Sequence, residues 1–286
     1  MIFYFVYKLG VLIVLFFPLK LAYCIGVLLS DLHYIFANKD RENVAANLRA
    51  IFPEKSCSEI KRIRLQMFRN FAKYLVDFLR FPLLNKKNAK KIVGLKNRHY
   101  LDEALSKGKG AIILTAHIGS WELAGAGVAL SGYSIGAVAL PHRHKSVDNF
   151  FNSQRKKKGM IVLHVGNAAR ECLKLLRQNK IIALLGDRIF NGNGILVDFL
   201  GKPTYLPKGP ASFSLKTGAV IVPAFAERES WNISKLVFQK PIEFTPSGDK
   251  EKDTTQLLLK CKSIIEDYIR KNPTRWFMFR KFWLED

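Results

Sequence analysis

The sequence predicts an α/β protein: a single domain on a mixed, largely parallel sheet flanked by helices, preceded by an apolar membrane-binding helix. Three observations carry this. From residue 110 onward, the apolar runs "GAIILTA", "YSIGAVAL", "MIVLHV", "KIIALLGD" and "GAVIVPAF" alternate with segments long enough for helices, the pattern that builds parallel sheets. The first thirty residues are almost wholly apolar. No internal repeat or low-complexity linker divides the remainder, so residues 1–30 read as an anchor and residues 31–286 as one domain.

The N-terminal run "MIFYFVYKLGVLIVLFFPLKLAYCIGVLLS" is interrupted by Lys8, Pro18 and Lys20. On a straight helix the two lysines would lie about 18 Å apart, which leaves no uncharged window of membrane-spanning length. A tilted span with snorkelling lysines and a monotopic segment kinked at Pro18 both satisfy these residues. Apolar residues continue to Leu29 with no small-residue cleavage site after a short core, which argues against a signal peptide. Membrane attachment is the expectation in either geometry.

Charge points the same way. Forty-six Lys and Arg against twenty-three Asp and Glu give a formal net charge of +23, so the partner is anionic: nucleic acid, anionic lipid or an acidic protein. The densest basic runs, "NKKNAKK" and "RKKKG", are short and lack the interleaved aromatics that stack bases. With the apolar N-terminus, this disfavours nucleic acid and favours anionic membrane lipids. Cys24, Cys57, Cys172 and Cys261 are far apart and form no CxxC pair, as suits reduced thiols rather than a disulfide scaffold or a zinc site.

Next, "RENVAANLRAIFPEKS" predicts a short helix ended by Pro53. Ser56 and Glu59 have the spacing of a capping box at the head of a long amphipathic helix. Ile60, Ile63, Met67, Phe71, Tyr74, Leu75 and Phe78 follow helical spacing on its apolar side. Late in the chain, "ISKLVFQKPIEF" reads as a strand and "TTQLLLKCKSIIEDYIRKN" as a helix.

The chemistry concentrates in "ILTAHIGSWELAG". His117 and Glu122 stand five apart, which on one regular helix would point them about 140° away from each other. A contact needs a break, and Gly119–Ser120 supplies one between the strand "GAIILTA" and a helix beginning at "WELAGAGVAL". His117 then sits at the C-terminal end of a strand, the edge where open α/β sheets bind ligands. A neutral imidazole there can take a proton from a hydroxyl while a carboxylate on its other nitrogen fixes the tautomer. By spacing alone, however, a His near a Glu is more often a surface or capping pair.

Other candidates follow. Arg155 in "NSQRKKKG" has the fixed charge and fork that suit a carbonyl or phosphate. Asp187 and Arg188 close the strand "IIALLGD", another sheet-edge position. "FLGKPTYLPKGPA" reads as a loop and a helix start, where Lys202, Lys208 and the helix N-terminus suit a phosphate. His142 and His144 in "PHRHKS" would share one face of a strand, but no third ligand is apparent and no metal is expected. The aromatic-rich "RWFMFRKFW" suits packing or an interfacial role better than direct chemistry.

"HIGSWE" resembles the H-x4-D/E motif of the glycerolipid acyltransferase superfamily, and its surroundings resemble the branch of late lipid A acyltransferases and related bacterial glycolipid acyltransferases. The resemblance spans about residues 41 to 283. It rests on "NLRAIFPEKS", "GKGAIILTAHIGSWELAG", the Arg and Gly of "RKKKG", "VDFLGKPTYLPKGPASFSLKTGAVIVPAF" and "NPTRWFMFRKFW" in that order. It implies O-acyl transfer from an acyl thioester to a hydroxyl of a membrane glycolipid such as a lipid A precursor. His117 would be general base and Glu122 its orienting carboxylate. No cofactor is implied beyond the co-substrate, acyl-ACP or acyl-CoA. The implied partners are acyl carrier protein and the glycolipid, and the implied location is the bacterial inner membrane, with the catalytic domain on the cytoplasmic side. Arg155 and Asp187 fall where the family places an arginine and an aspartate. Arg188 departs from the family's usual glutamine. The proline-glutamate-glycine-threonine-arginine block of glycerol-phosphate acyltransferases is missing, which argues against that acceptor. Other acceptors (a mannosylated glycolipid, an aminoacyl lipid or a lysophospholipid) fit the same pattern, and a basic non-enzymatic membrane protein is the alternative from another class.

Overall fold

The computed structural model describes residues 2–142, 144–189, 192 and 194–283, with the side chains of residues 2–6 outside that description. The chain opens with four helices: α1 (Ile2–Phe16), α2 (Leu19–Phe36), α3 (Asn38–Ile51) and α4 (Cys57–Leu79). Then come α5 (Ala89–Ile92), β1 (Val93–Lys96), α6 (His99–Ser106), β2 (Ala111–Thr115), α7 (Trp121–Leu130), β3 (Ile135–Ala139), α8 (Lys145–Lys157), β4 (Ile161–His164), α9 (Ala168–Arg177) and β5 (Ile181–Leu185). A hairpin of β6 (Gly194–Phe199) and β7 (Lys202–Pro207) follows, then α10 (Gly209–Thr217), β8 (Val220–Arg228), β9 (Ser234–Phe238) and α11 (Lys250–Lys271).

Seven strands form one sheet in the order β1-β9-β8-β2-β5-β3-β4. Every pairing is parallel except β8 with β9. All five residues of β2 are buried, because helices cover both faces and leave neither for water. Alternation along the strand divides its side chains. Ile113 packs in one core with Ala124 and Val128 of α7 and Phe150 of α8, while Ile112 and Leu114 pack in the other with Leu176 of α9 and Ile265 of α11. The α/β architecture and its largely parallel sheet are those the alternation of apolar runs predicts.

The capping box at the head of α4 is present, with Ser56 and Glu59 each capping the other's backbone. The segment read as a loop before α10 is instead the antiparallel β6–β7 hairpin, registered from Gly194↔Pro207 to Phe199↔Lys202. Pro203 and Pro207 are tolerated because this two-stranded ribbon has free edges.

At the N-terminus the apolar run is two helices broken at Pro18. The second continues to Phe36, beyond the boundary near residue 30 that hydropathy suggests. Both pack against the domain: Tyr7 meets the rings of Phe150 and Phe151, and Val14, Ala22 and Tyr23 bury against Val76. Arg80 donates to the carbonyls of Val14 and Phe17, and Arg69 forms a two-bonded pair with Asp31, 2.8 Å in each arm. The outward side carries exposed Leu9, Leu12, Phe16, Leu21, Leu28, Leu29, Leu32, Ile35 and Phe36. By length and composition, α2 is the one helix among the described residues that could cross a membrane.

Candidate active site

The site begins with strand register. β2 and β5 are neighbours, with Thr115 opposite Leu185, so the two chains leave the sheet at the same level. His117 and Asp187, each two residues further on, therefore meet. His117 Nδ1 lies 2.8 Å from Asp187 Oδ1, and the His117 backbone N–H donates to Oδ2 at 3.2 Å. Trp276 Nε1 donates to the same Oδ2 at 2.9 Å. Asp187 is wholly buried. Burial by itself raises a carboxyl, but the His117 charge and hydrogen bond, the Arg188 charge and the Trp276 N–H outweigh it and hold Asp187 well below its ordinary value. An ionised Asp187 accepts from Nδ1–H, which leaves the Nε2 lone pair free to take a proton.

The turn after His117 is fixed from several sides. Gly119 has φ +60°, and a Cβ there would lie 2.4 Å from the carbonyl oxygen of Ala226, so only glycine fits. Its N–H donates to Arg275 O at 3.0 Å, and Phe277 N donates to His117 O at 2.9 Å. The Ser120 hydroxyl donates to buried Asp77, which also accepts from Tyr23 and Arg228. The closing aromatic block thus packs onto the His117 loop: Trp276, Phe277 and Met278 are buried.

In this structure Glu122 pairs with Arg155 rather than with His117. No hydrogen bond joins the two among the described residues; Glu122 is instead clamped by Arg155. Arg155 Nε lies 3.2 and 3.0 Å from the two carboxylate oxygens, and a terminal nitrogen lies 2.5 Å from Oε1. Asn152 Oδ1 holds the other terminal nitrogen at 2.8 Å. The physical reason is direction. The left-handed Gly119 turn and the Asp77 anchor start α7 so that its first turn faces α8, and a buried carboxylate there is neutralised by a guanidinium fork. Burial works against the charge on Arg155, but the bonds and charge of Glu122 more than offset it and raise its pKa. Arg155 is therefore committed to an ion pair beside the site.

Arg188 stands on the other side of Asp187, with a terminal nitrogen 2.5 Å from Phe277 O and Nε 3.9 Å from Asp187 Oδ2. That Nε is buried without an acceptor. Lys208 is exposed at the N-terminus of α10, between Pro207 and Gly209, both of which line the cavity below His117. Lys202 is exposed at the far end of β7. Five residues of extended chain, about 17 Å, separate it from Pro207, so the structure places Lys202 away from the site. Lys156 and Lys157 are exposed, while Lys158 is buried and donates to Leu84 O at 2.7 Å.

Beneath His117 opens a cavity of about 510 Å³, within the range of small-molecule sites. Trp121 and Tyr74 line it, their rings stacked 4.3 Å apart, with Trp121 edge-on to His117 at 5.2 Å. Its walls are mostly apolar, and Arg155, Arg188 and Glu122 supply the charge. His142 also lines it, but no cluster of three metal-ligating residues occurs among the described residues. Sequence reasoning missed Tyr74, Trp121 and Trp276 as parts of the site. The aromatic block near the C-terminus was the available signal for Trp276.

The whole chain, residues 1–285, matches the family model described as bacterial lipid A biosynthesis acyltransferase. It is 27% identical over 227 residues to a phosphatidylinositol mannoside acyltransferase of Mycobacterium tuberculosis (strain ATCC 25618 / H37Rv), covering 76% of this chain and 69% of that protein. To the phosphatidylinositol mannoside acyltransferase of Mycolicibacterium smegmatis it is 25% identical over 267 residues, 91% of this chain and 85% of the other. A lipid A biosynthesis acyltransferase of Haemophilus influenzae is 21% identical over 243 residues, 84% and 74% respectively. With a family match of this extent, the chain belongs to the bacterial lipid A biosynthesis acyltransferases and is an acyltransferase of glycolipid type.

Proposed function

We propose that the chain transfers a fatty acyl group from an acyl thioester to a hydroxyl of a membrane glycolipid, with His117 as general base and Asp187 as the carboxylate that orients it. The supporting observation is the 2.8 Å His117–Asp187 pair, with His117 lining a largely apolar cavity of about 510 Å³. Nε2 of His117 takes the proton of the acceptor hydroxyl as its oxygen bonds to the thioester carbonyl carbon. The carbonyl oxygen becomes an oxyanion, and Arg188, which lines the cavity, is the fixed positive charge proposed to stabilise it. Collapse breaks the carbon–sulfur bond, and the departing thiolate takes the proton back from His117. The products are an ester and a free thiol.

The lipid A and phosphatidylinositol mannoside of the relatives' names are both lipid-anchored saccharides, so the acceptor proposed is a sugar hydroxyl held at a membrane surface. The exposed apolar side of α1 and α2 and the net charge of +23 support attachment to an anionic bilayer, with the cytoplasmic face of the bacterial inner membrane as the proposed location. Exposed Lys156 and Lys157 suit an acidic carrier protein as the donor's bearer. Full-length protein in detergent, given acyl carrier protein or coenzyme A thioesters with either a lipid A precursor or a phosphatidylinositol mannoside, tests this. An added acyl mass on one acceptor and stoichiometric thiol release are expected. Thiol release with no acylated lipid would overturn the transfer reading.

A further inference from the structure

α7 carries glycines at 125 and 127, although glycine in a helix interior is unfavourable against alanine or leucine. Neither has a positive φ, so backbone conformation does not explain them. Gly127 is explained by packing, since a Cβ there would lie 2.6 Å from a methyl of Val93 in β1. Gly125 faces the cavity instead. Its nearest neighbour is the flexible end of Met160, whose Cε would sit 3.0 Å from an added Cβ.

The cavity descends from His117 along the sheet. It passes from Ala139 to Ala137 on β3 and from Leu185 to Ala183 on β5, a drop of about 7 Å on each strand. Ala137, Ala139 and Ala183 leave room along this descent that leucine or isoleucine at those positions would fill. Adjoining it is a second void of about 30 Å³, walled by Ile113, Val128, Ile135 and Leu236. It shares Thr115, Trp121, Gly125 and Ala183 with the main cavity. At the junction, the missing side chain of Gly125 leaves space that the tip of Met160 partly occupies.

We propose that Gly125 and Met160 set the length of the acyl chain this enzyme accepts, Gly125 by leaving that junction open and Met160 by closing it. This rests on the proposed acyl transfer, with the acyl chain of the thioester occupying the largely apolar cavity beside His117. Thioether side chains adapt their shape readily, so Met160 forms a yielding wall of the main cavity against Gly125, and the void that Gly125 also lines gives a longer chain further room. Each methylene that gains or loses its place in such a cavity changes relative turnover about fourfold.

The test is competition. The full-length enzyme is given an equimolar series of saturated acyl thioesters of graded length with a phosphatidylinositol mannoside or lipid A precursor acceptor, and products are counted by mass spectrometry. Gly125→Leu fills the space at the junction and should move the preferred chain shorter by two or more methylenes, a change of about tenfold or more in the long-to-short product ratio. Met160→Ala should move it longer. Leucine is a good helix former, and the double variant Gly125→Leu, Met160→Ala should recover much of the original profile. Shifts in the same direction, or an unchanged profile in variants that still turn over, overturn the proposal. If the wild-type protein acylates neither acceptor with any donor, the functional reading fails instead, and the two failures are distinct.

Discussion

Replacing Asp187 by Asn separates the geometry observed here from the one that spacing suggested. Asp187 accepts from His117 Nδ1 at 2.8 Å, from the His117 backbone at 3.2 Å and from Trp276 at 2.9 Å. An asparagine can keep one carbonyl oxygen on Trp276 and the His117 backbone, but its amide then turns an N–H toward Nδ1. The imidazole must present a lone pair there and carry its proton on Nε2, where the base is needed. In a hydrolase triad the same exchange costs about 10⁴ in kcat, equal to about 5.4 kcal/mol of barrier. Glu122→Gln leaves that tautomer alone. It takes the countercharge from Arg155 in a buried pair, which costs about 3–5 kcal/mol of stability and about 5–15 °C in Tm for a chain of this size. The assay is transfer of a labelled acyl chain at saturating thioester by full-length protein in detergent, with thermal unfolding measured on the same samples. Asp187→Asn should lose turnover far beyond what its fall in Tm explains; Glu122→Gln should chiefly lose Tm. Turnover above about a tenth of wild type in Asp187→Asn, or an equal loss of kcat in Glu122→Gln at unchanged Tm, would refute the assignment.

Three further outcomes are expected. His117→Ala should lower turnover by about 10²–10⁴ while circular dichroism stays native, as expected of a lost general base. Full-length protein should stay with membranes through a high-salt wash, because the exposed apolar residues of α1 and α2 are not released by screening; quantitative release by salt alone would make the attachment electrostatic. Asp187 has a folded pKa below its ordinary value of 3.8, so its contribution to stability is present above that value and lost as the pH falls below it. The gap in unfolding free energy between wild type and Asp187→Asn should therefore be widest near neutrality and narrow in acid, and a gap that widens on acidification would contradict the depressed carboxyl.

The parallel sheet was legible because its strands are continuous apolar runs, and a strand covered on both faces leaves no other composition. β1, "VGLK", was not: four residues carry too little pattern, and its place at the sheet edge depends on pairing with Ser234–Val237, far along the chain. The β6–β7 hairpin was misread because Gly201, Pro203 and Pro207 are loop residues by local preference, and a ribbon outside the main sheet can hold them. In the site, the position of His117 followed from strand, turn and helix signals within a dozen residues. Its partner did not. Asp187 is seventy residues away, and the contact exists because β5 enters the sheet beside β2, a consequence of topology. Glu122 was nearer in sequence, but five residues with a left-handed turn between them point it at α8.

The same turn ties the N-terminal helices to the chemistry. Asp77 of α4 is buried and gathers the Tyr23 hydroxyl from α2, the Ser120 hydroxyl from the head of α7 and the Arg228 guanidinium from β8. Arg228 also donates to the Tyr23 oxygen at 2.8 Å. A buried carboxylate with one guanidinium and two hydroxyls is satisfied only when all of them are in place, and removing any one leaves a desolvated polar group. The α1–α2 pair is thus more than a tether attached to a finished domain. Its Tyr23 completes the cluster that fixes Ser120, three residues from His117. The side of these helices turned away from Asp77 is the one that exposes Leu28, Leu29 and Leu32. The element with the most exposed apolar surface is therefore also the one that braces the His117 turn.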